Sequence, residues 1–312
     1  MSDSAAFLHH AFFYDDVDHY VDVITGFVEL GLDAGSAVLV AVPTPRVAAL
    51  RDCGWVADPQ VQLLDMVEIG RNPGRIISVW QEFVGTNGEA GRTIRGVGEP
   101  IWAGRSAAEL VECQWHESLL NLAFDGDAGF PLMCPYDAAA LDPAVVEAAR
   151  RTHPFIYGGG GVVASTEFDG VPASSDHVEV PLAEPAGEYD TLAFGMGGLA
   201  AVRHLAYAQA VRAGLRSHRV ADFLVAVNEV ATNSLRHGGG HGVMRLWRTP
   251  STVVCEVRDE GRIAQALVGR TRTSLHATNG RGLWLVHQLC DLVELRSSAH
   301  GTTVRMSMSL AD

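Results

Sequence analysis

The sequence predicts two domains, an α/β layered domain followed by an α+β domain. The chain has 312 residues, about twice the ~150 of one average domain, and 47% of them are hydrophobic. In the first half, helical patterns alternate with short apolar runs, which is typical of strands buried between layers of helices. In the second half, long helical patterns precede strands of alternating polarity, which indicates helices packed on one antiparallel sheet.

The first half contains one especially clear strand. Ala37–Val42 is a continuous apolar run that stops at Pro43, and a helical pattern at 20–30 ends just before it at Gly31. The other elements predicted in this half are a short helix at 47–51, a strand at 61–65, helices at 75–84 and 109–124, a strand at 131–135 and a helix at 142–151.

The second half has a different order of elements, with two long helices ahead of most of its strands. The predicted elements are helices at 199–213, 217–237 and 282–290, and strands at 243–247, 252–257, 292–297 and 302–308. Between the halves, four glycines at 158–161 precede a polar stretch, which is typical of a surface linker. We therefore predict domains at 1–157 and 177–312, joined by a linker at 158–176.

Charge and composition exclude several classes of function. The net charge of −14 repels phosphate backbones, so direct nucleic-acid binding is not expected. The five cysteines are scattered without a CxxC pair, as in a reducing compartment. The apolar runs are far shorter than the ~20 residues needed to cross a bilayer. We therefore expect a cytoplasmic protein without a membrane partner.

The first candidate site lies on the helix predicted at 217–237. Glu229, Asn233 and His237 are spaced four residues apart, so they project from neighbouring positions on one face. An amide oxygen can complete the coordination of Mg²⁺, and a nearby carboxylate can accept the proton of an attacking hydroxyl. Taken alone, this spacing is more often an ordinary solvated helix face.

Two further segments place glycine beside a functional group. A strand ends at Asp259 and Gly261 follows, where a carboxylate can accept the exocyclic amine of adenine, although Asp-x-Gly is commonly an ordinary turn. Gly280-Arg281-Gly282 precedes a helix, where backbone amides can approach phosphates. Glycine at such a turn can also serve purely steric needs.

The order of these segments, followed by Gly301 and Thr303 at the last strand, resembles the ATP-binding domain of histidine kinases, MutL and gyrase B, the GHKL or HATPase_c class. The resemblance covers roughly residues 180–310 and is closer still to RsbW-like anti-sigma-factor serine/threonine kinases, which act by partner switching. It implies the two-layer α+β sandwich of the Bergerat ATP-binding fold.

This resemblance also implies a role for each matching residue. ATP and Mg²⁺ would be the cofactors, with Glu229 as the catalytic base and Asn233 as the Mg²⁺ ligand. The other residues implied to bind the nucleotide are His237, Asp259, Gly261, Gly280, Arg281, Gly282 and Thr303, and the segment 262–281 would be the mobile lid.

One position departs from the family pattern, and one competing family is disfavoured. Ile263 stands where the family has a second glycine, and a β-branched residue resists positive φ, so it is expected to narrow the lid hinge.

A histidine kinase proper needs a phospho-accepting histidine on an upstream helical hairpin. The candidate His204 falls inside the ATP domain instead, so we expect no histidine autophosphorylation.

Residues 5–155 resemble the MEDS sensory domain, which is thought to be related to RecA-like ATPases. The matching motifs are His9-His10-Ala-Phe-Phe-Tyr14, the strand at 37–44, Glu112-Cys-Gln-Trp-His-Glu-Ser-Leu-Leu-Asn121 and Cys134-Pro-Tyr-Asp137. The resemblance implies a degenerate RecA-like domain, because Gly-Lys-Ser/Thr is missing before the strand and no phosphate site is expected.

The polar residues of the helix at 109–124 allow two interpretations. Glu112, His116, Glu117 and Asn121 could form a polar network at a ligand-binding or inter-domain face. Alternatively, Cys113 and His116 could join the later Cys134 in a metal site, although a closed zinc site needs four ligands and no second pair is evident. The network is the preferred interpretation, and the sequence does not name its ligand.

Taken together, the two resemblances imply a signal-responsive, stress-response type of anti-sigma factor. It would bind Mg-ATP, sequester an alternative sigma factor and phosphorylate a Ser or Thr of an anti-anti-sigma (STAS-domain) antagonist. The first domain would take an unknown sensory ligand, and a homodimer is possible. The alternative is a non-catalytic, ATP-dependent protein-binding switch that regulates transcription by sequestration alone.

Overall fold

The protein is divided into two compact units. The computed structural model describes residues 7–125, 129–159, 161–170, 180–272 and 281–311. Unit 1 is Met1–Pro172 and unit 2 is Ala173–Asp312, so the division falls within the segment predicted as a linker. In the described part of the chain, no helix is both long and apolar enough to cross a bilayer.

Unit 1 is built on a mostly parallel sheet. Among the described residues this sheet has seven strands, in the order β3-β2-β4-β5-β1-β6-β7, of which only β7 runs antiparallel to its neighbour. The strands are β1 Leu8–Tyr14, β2 Ala37–Val42, β3 Val61–Asp65, β4 Ile94–Gly98, β5 Pro131–Asp137, β6 Phe155–Gly158 and β7 Gly161–Ala164. The strand β2, which lies between β3 and β4, is buried at every position, which explains its uninterrupted apolar sequence.

Most of the helices described in unit 1 begin where a local side chain satisfies a free backbone amide. They are α1 Val17–Asp33, α2 Thr44–Leu50, α3 Met66–Ile69, α4 Ile76–Glu89, α5 Ala107–Ala123 and α6 Pro143–Thr152. Asp16 caps α1 and Asp142 caps α6, while Ser106 and Glu109 form a reciprocal capping box at the start of α5.

The start of the predicted linker is a hairpin. β7 pairs with β6 at the edge of the sheet, within the range predicted to be irregular. Gly159 has φ +59, a conformation that suits glycine in a tight turn. The glycines lie at the end of β6, in the turn and at the start of β7. A glycine run at such an exposed hairpin has the same composition as a linker.

A buried carboxyl group makes unit 1 sensitive to pH. Glu99 accepts hydrogen bonds from the hydroxyls of Tyr14 (2.8 Å) and Tyr20 (3.2 Å), and Arg46 donates in turn to Tyr14 and to Asp137. Burial raises the pKa of Glu99 to about 8, because these contacts only partly offset its desolvation. The folded state therefore holds a proton that the unfolded chain releases above its ordinary pKa of 4.5.

Unit 1 should lose stability as the pH rises from 6.5 to 8.5. The stability that Glu99 contributes is complete below pH 4.5 and is lost as the pH rises through about 8. Burial lowers the pKa of His9 and His10 to about 4, which gives the opposite slope, but only below pH 6.5. Above that pH we expect the unfolding midpoint to fall by about 2–4 °C per pH unit in calorimetry. Glu99→Gln should flatten this slope, and equal slopes in both proteins would contradict the assignment.

Unit 2 is a sheet covered on one face by helices. The part of unit 2 that the structure describes has five strands in the order β11-β12-β10-β9-β8, and all neighbours are antiparallel. The strands are β8 Asp190–Gly195, β9 His241–Arg248, β10 Thr252–Asp259, β11 Leu292–Ser298 and β12 Gly301–Ser309, and the helices are α7 Leu199–Ala213, α8 Ser217–His237 and α9 Arg281–Leu289. This confirms the predicted antiparallel α+β layer, with β8 as an addition that was not predicted.

The core of unit 2 lies between the sheet and its helices. Phe223, Val227 and Val230 of α8 pack with Met306 and Met308 of β12 in a single buried cluster. Buried and partly buried residues alternate strictly along β12, so every second side chain enters this core. The C-terminal half of α8 is thereby held over the ends of β10 and β12, where the candidate site lies.

Candidate functional site

A cavity of about 500 Å³ lies beside the C-terminal part of α8, a volume typical of a small-molecule site. It is lined by five of the residues predicted to bind the nucleotide, namely Asn233, His237, Asp259, Gly261 and Gly282. One wall is formed by the chain that follows β10, from Arg262 to Thr271. The structure therefore brings together residues from three separate sequence segments.

Gly282 lies directly against the polar face of α8. A Cβ atom at this position would lie 2.8 Å from Glu229 Oε2 and 3.3 Å from Asn233 Nδ2. Only glycine therefore leaves its backbone open beside the carboxylate and the amide. Glu229 borders Gly282 without being one of the residues that line the cavity.

Asp259 is held rigidly at the end of β10. Its Oδ2 accepts a hydrogen bond from the Ser234 hydroxyl (2.6 Å), and its Oδ1 accepts one from the Gly261 amide (2.8 Å). Gly238 lies so close to this side chain that any Cβ atom there would collide with it. Each carboxylate oxygen keeps a second lone pair, so the group can still accept from a ligand in the cavity.

Thr302, rather than Thr303, belongs to the cavity, which corrects the sequence prediction. Thr302 faces Asp259 across the sheet and lines the cavity, whereas Thr303 pairs with Arg258. Successive residues of a strand point to opposite faces, so a phase error of one residue moves the side chain to the other face of the sheet.

Thr302 anchors the wall of the cavity through a chain of hydrogen bonds. Its hydroxyl donates to the Gly261 carbonyl (2.8 Å) and accepts from Ser297 (2.9 Å), while Ser297 accepts from the Ile263 amide (2.9 Å). The backbone from Gly261 to Ile263 is thus fastened to β11 and β12.

Replacing Thr302 with Val should destabilise the protein by about 1–3 kcal/mol, because the Gly261 carbonyl and the Ser297 hydroxyl lose their partner. Urea unfolding of the full chain measures this loss. The matched control is Thr303→Val, which makes the same change on the opposite face and should cost less than about 0.5 kcal/mol. Equal losses in the two variants would contradict the placement.

Ile263 fits this wall without backbone strain. Among the described residues, no residue other than glycine has a positive φ. The side chain of Ile263 lines the cavity and packs partly against the core of unit 2. The predicted conflict with positive φ therefore does not arise, and Ile263 instead adds an apolar surface to the cavity.

The remaining predicted residues lie around or beyond the cavity. Gly280 lies outside the described residues, as does the part of the predicted lid from 273 to 280. Arg281 is the exposed first residue of α9. His204 lies on α7, and its side chain is exposed.

Sequence reasoning missed Ser234, Ser297 and Thr302. Ser234 is a fully buried hydroxyl in the apolar stripe of α8, next to Asn233. A hydroxyl at a core-facing position is a usable signal, because buried polar groups require a partner. Ser297 and Thr302 could be found only from the pairing of β11 with β12.

The polar residues of α5 in unit 1 make contacts in different places. Glu117 and Asn121 both contact His9, while the Cys113 thiol donates to the Pro100 carbonyl (3.3 Å). Cys113 and His116 do not belong to the group of potential ligand atoms that meets at Cys134. The pairing of Cys113, His116 and Cys134 as a metal site was therefore wrong in its residues.

In a comparison with known proteins, each unit matches one family model. Residues 8–154 match the family model "MEthanogen/methylotroph, DcmR Sensory domain" (MEDS), and residues 196–308 match that of the histidine kinase-like ATPase domain. Both resemblances inferred from the sequence are thus confirmed at the level of the domain.

Among solved structures, the crystal structure of the RsbU and RsbW domains of Rv1364c from Mycobacterium tuberculosis is similar at 18% identity with a TM-score of 0.29. The match covers 38% of this chain and 32% of that chain, about a third of its length. The comparison with curated proteins gave no match.

Proposed function

We propose that unit 2 binds Mg-ATP in the cavity beside α8. The observation that carries this proposal is the approach of Gly282 to Glu229 and Asn233, in a cavity that Asp259 also lines. A Cβ atom would fill this space, so the residues present suit a ligand that needs close contact with the backbone. The match to the histidine kinase-like ATPase domain supports the same ligand.

Each residue would contribute a different contact. The Asn233 amide oxygen would coordinate Mg²⁺, and Asp259, oriented by Ser234 and Gly261, would accept the amine of adenine. The backbone at Gly282 would face the phosphates. Bound Mg-ATP would supply the phosphoryl group and the charge neutralisation that its transfer requires.

Glu229 would act on the partner protein rather than on the nucleotide. Its carboxylate lies at the open backbone of Gly282, where it would accept the proton of an incoming Ser or Thr hydroxyl. The chain would then be a protein serine/threonine kinase and an anti-sigma factor, which holds an alternative sigma factor and phosphorylates a STAS-domain antagonist. Unit 1, which matches a sensory domain, would supply the signal.

A mass-spectrometric assay tests this function. The full chain is incubated with Mg-ATP and the proteins that co-purify with it from native lysate. A sigma factor among them and a new phosphoserine or phosphothreonine on another support the proposal. The proposal would be contradicted if neither a sigma factor nor a phosphorylated antagonist were captured.

The second candidate is a switch that binds ATP without transferring phosphate. Ile263 favours it, since an apolar side chain stands in the wall where the family has a glycine. In the same assay this switch would capture the sigma factor in an ATP-dependent manner and leave every co-purifying protein unphosphorylated.

A further inference from the structure

Four buried side chains of unit 1 converge on one point, outside the site already described. They are His9 on β1, Glu117 on α5, Cys134 on β5 and His153 at the end of α6, and we call them the buried cluster. One potential ligand atom from each lies within 4.8 Å of all the others. The four residues come from four elements, and each is at most 1% exposed.

The distances within the buried cluster suit a tetrahedral metal ion. His9 Nε2 lies 3.1 Å from Glu117 Oε2 and 3.3 Å from Cys134 Sγ, and His153 Nε2 lies 3.4 Å from Glu117 Oε2. Bonds of about 2.0–2.3 Å to a tetrahedral zinc ion place neighbouring ligand atoms about 3.3–3.7 Å apart. Two nitrogens, one sulfur and one oxygen therefore lie close to the required positions.

The tautomer of His9 is determined by Asn121. The Asn121 amide nitrogen donates to the Thr152 carbonyl (2.9 Å), so its oxygen must face His9. This oxygen lies 3.0 Å from His9 Nδ1 and can only accept, so Nδ1 carries the hydrogen. With its hydrogen on Nδ1, the neutral ring presents the lone pair of Nε2 to the buried cluster.

The same reasoning applies to His153. Its Nδ1 lies 2.8 Å from the Ala149 carbonyl, an acceptor, so the hydrogen is again on Nδ1. His153 Nε2 and Glu117 Oε1 are fully buried and have no hydrogen-bond partner among the described residues. Metal-binding histidines are oriented in this way, with the outer nitrogen donating to a carbonyl or amide oxygen.

Without a cation, two polar atoms of this buried site have no hydrogen-bond partner among the described residues. Oε2 of Glu117 and Nε2 of His9 and His153 converge beside the Cys134 thiol. A divalent cation would satisfy all of them at once.

We propose that the buried cluster binds one divalent first-row transition-metal ion, with Zn²⁺ as the best fit to its two imidazoles, thiolate and carboxylate. Imidazole and thiolate ligands disfavour Mg²⁺ and Ca²⁺, which prefer oxygen. Binding converts the Cys134 thiol to a thiolate and releases one proton to solvent. The ion would tie together two strands and two helices of the sensory-type unit and stabilise them.

Titration of the purified, metal-depleted full chain with Co²⁺ tests the proposal. We expect one Co²⁺ per chain, with the intense visible bands of a tetrahedral site and a near-ultraviolet thiolate-to-cobalt band. Cys134→Ser should lose the thiolate band and weaken binding more than ~10-fold. The matched control, Cys113→Ser, changes a buried cysteine of α5 outside the buried cluster and should keep both.

Two further measurements make the test independent of whether Cys134→Ser folds. X-ray absorption of the zinc-loaded wild type should show one sulfur and three nitrogen or oxygen neighbours. Asn121→Ala should lower metal affinity about 10–100-fold while keeping the thiolate band, because it frees the ring of His9. A wild-type chain that binds neither Co²⁺ nor Zn²⁺, or zinc without a sulfur neighbour, would overturn the proposal. None of these readouts involves nucleotide, so their failure leaves the function proposed for unit 2 untouched.

Discussion

Replacing Glu229 with Gln is expected to slow phosphate transfer to the partner hydroxyl by roughly 10²–10⁴-fold, the usual contribution of a general base. The amide has the same shape but accepts no proton. Binding of Mg-ATP should change by less than about twofold, because Glu229 does not line the cavity. Initial rates with radiolabelled ATP and the co-purified antagonist measure the first effect, and calorimetry measures the second.

The control for this variant is Glu260→Gln. Glu260 is an exposed carboxylate directly after Asp259, and it does not line the cavity. Its substitution removes the same charge from the same region and should leave the rate unchanged. An unaltered rate in Glu229→Gln, or equal losses in the two variants, would show that Glu229 is not the base.

Replacing Glu256 with Ala is expected to destabilise unit 2 by about 3 kcal/mol. Glu256 is fully buried on β10 and accepts hydrogen bonds from Arg258 Nε (2.8 Å) and Arg305 Nη2 (2.6 Å). Removing it leaves both guanidinium groups without their central partner. The expected loss is at the lower end of the range for buried pairs, because both arginines keep some contact with solvent. Urea unfolding of the full chain measures it.

Glu184 offers a control within the same network. Its carboxylate also pairs with Arg258 and additionally with Arg245, but its side chain is 64% exposed. Glu184→Ala should therefore cost far less stability than Glu256→Ala, because exposed ion pairs are screened by solvent. If both variants lost the same stability, burial would not be the property that makes Glu256 important.

The helices of unit 2 could be predicted closely from the sequence. The patterns at 199–213 and 217–237 match α7 and α8. The alanine-rich composition of α7, the amphipathic spacing of α8 and the glycines that follow them are all local signals. β4 was missed for a physical reason. Cβ atoms at its Gly96 and Gly98 would crowd the Trp80 ring, so the tryptophan of α4 fills space that side chains of the strand would otherwise occupy.

The candidate site was predictable where its residues lie close together in the sequence. Glu229 and Asn233 share one helix, so their spacing alone places them together. The choice between Thr302 and Thr303 depends on the phase of β12 relative to β10, which the sequence does not determine. The buried cluster of unit 1 joins His9 to His153 across nearly the whole unit, so no local spacing could signal it.

Calorimetric titration of the full chain with Mg-ATP tests the central claim most directly. The account predicts one saturable site in the wild type and in Thr303→Val. It also predicts more than ~10-fold weaker binding in Asp259→Ala, which removes an acceptor that a buried adenine amine requires. Absence of binding at millimolar Mg-ATP, or an affinity that Asp259→Ala leaves unchanged, would contradict the claim that this cavity is a nucleotide site.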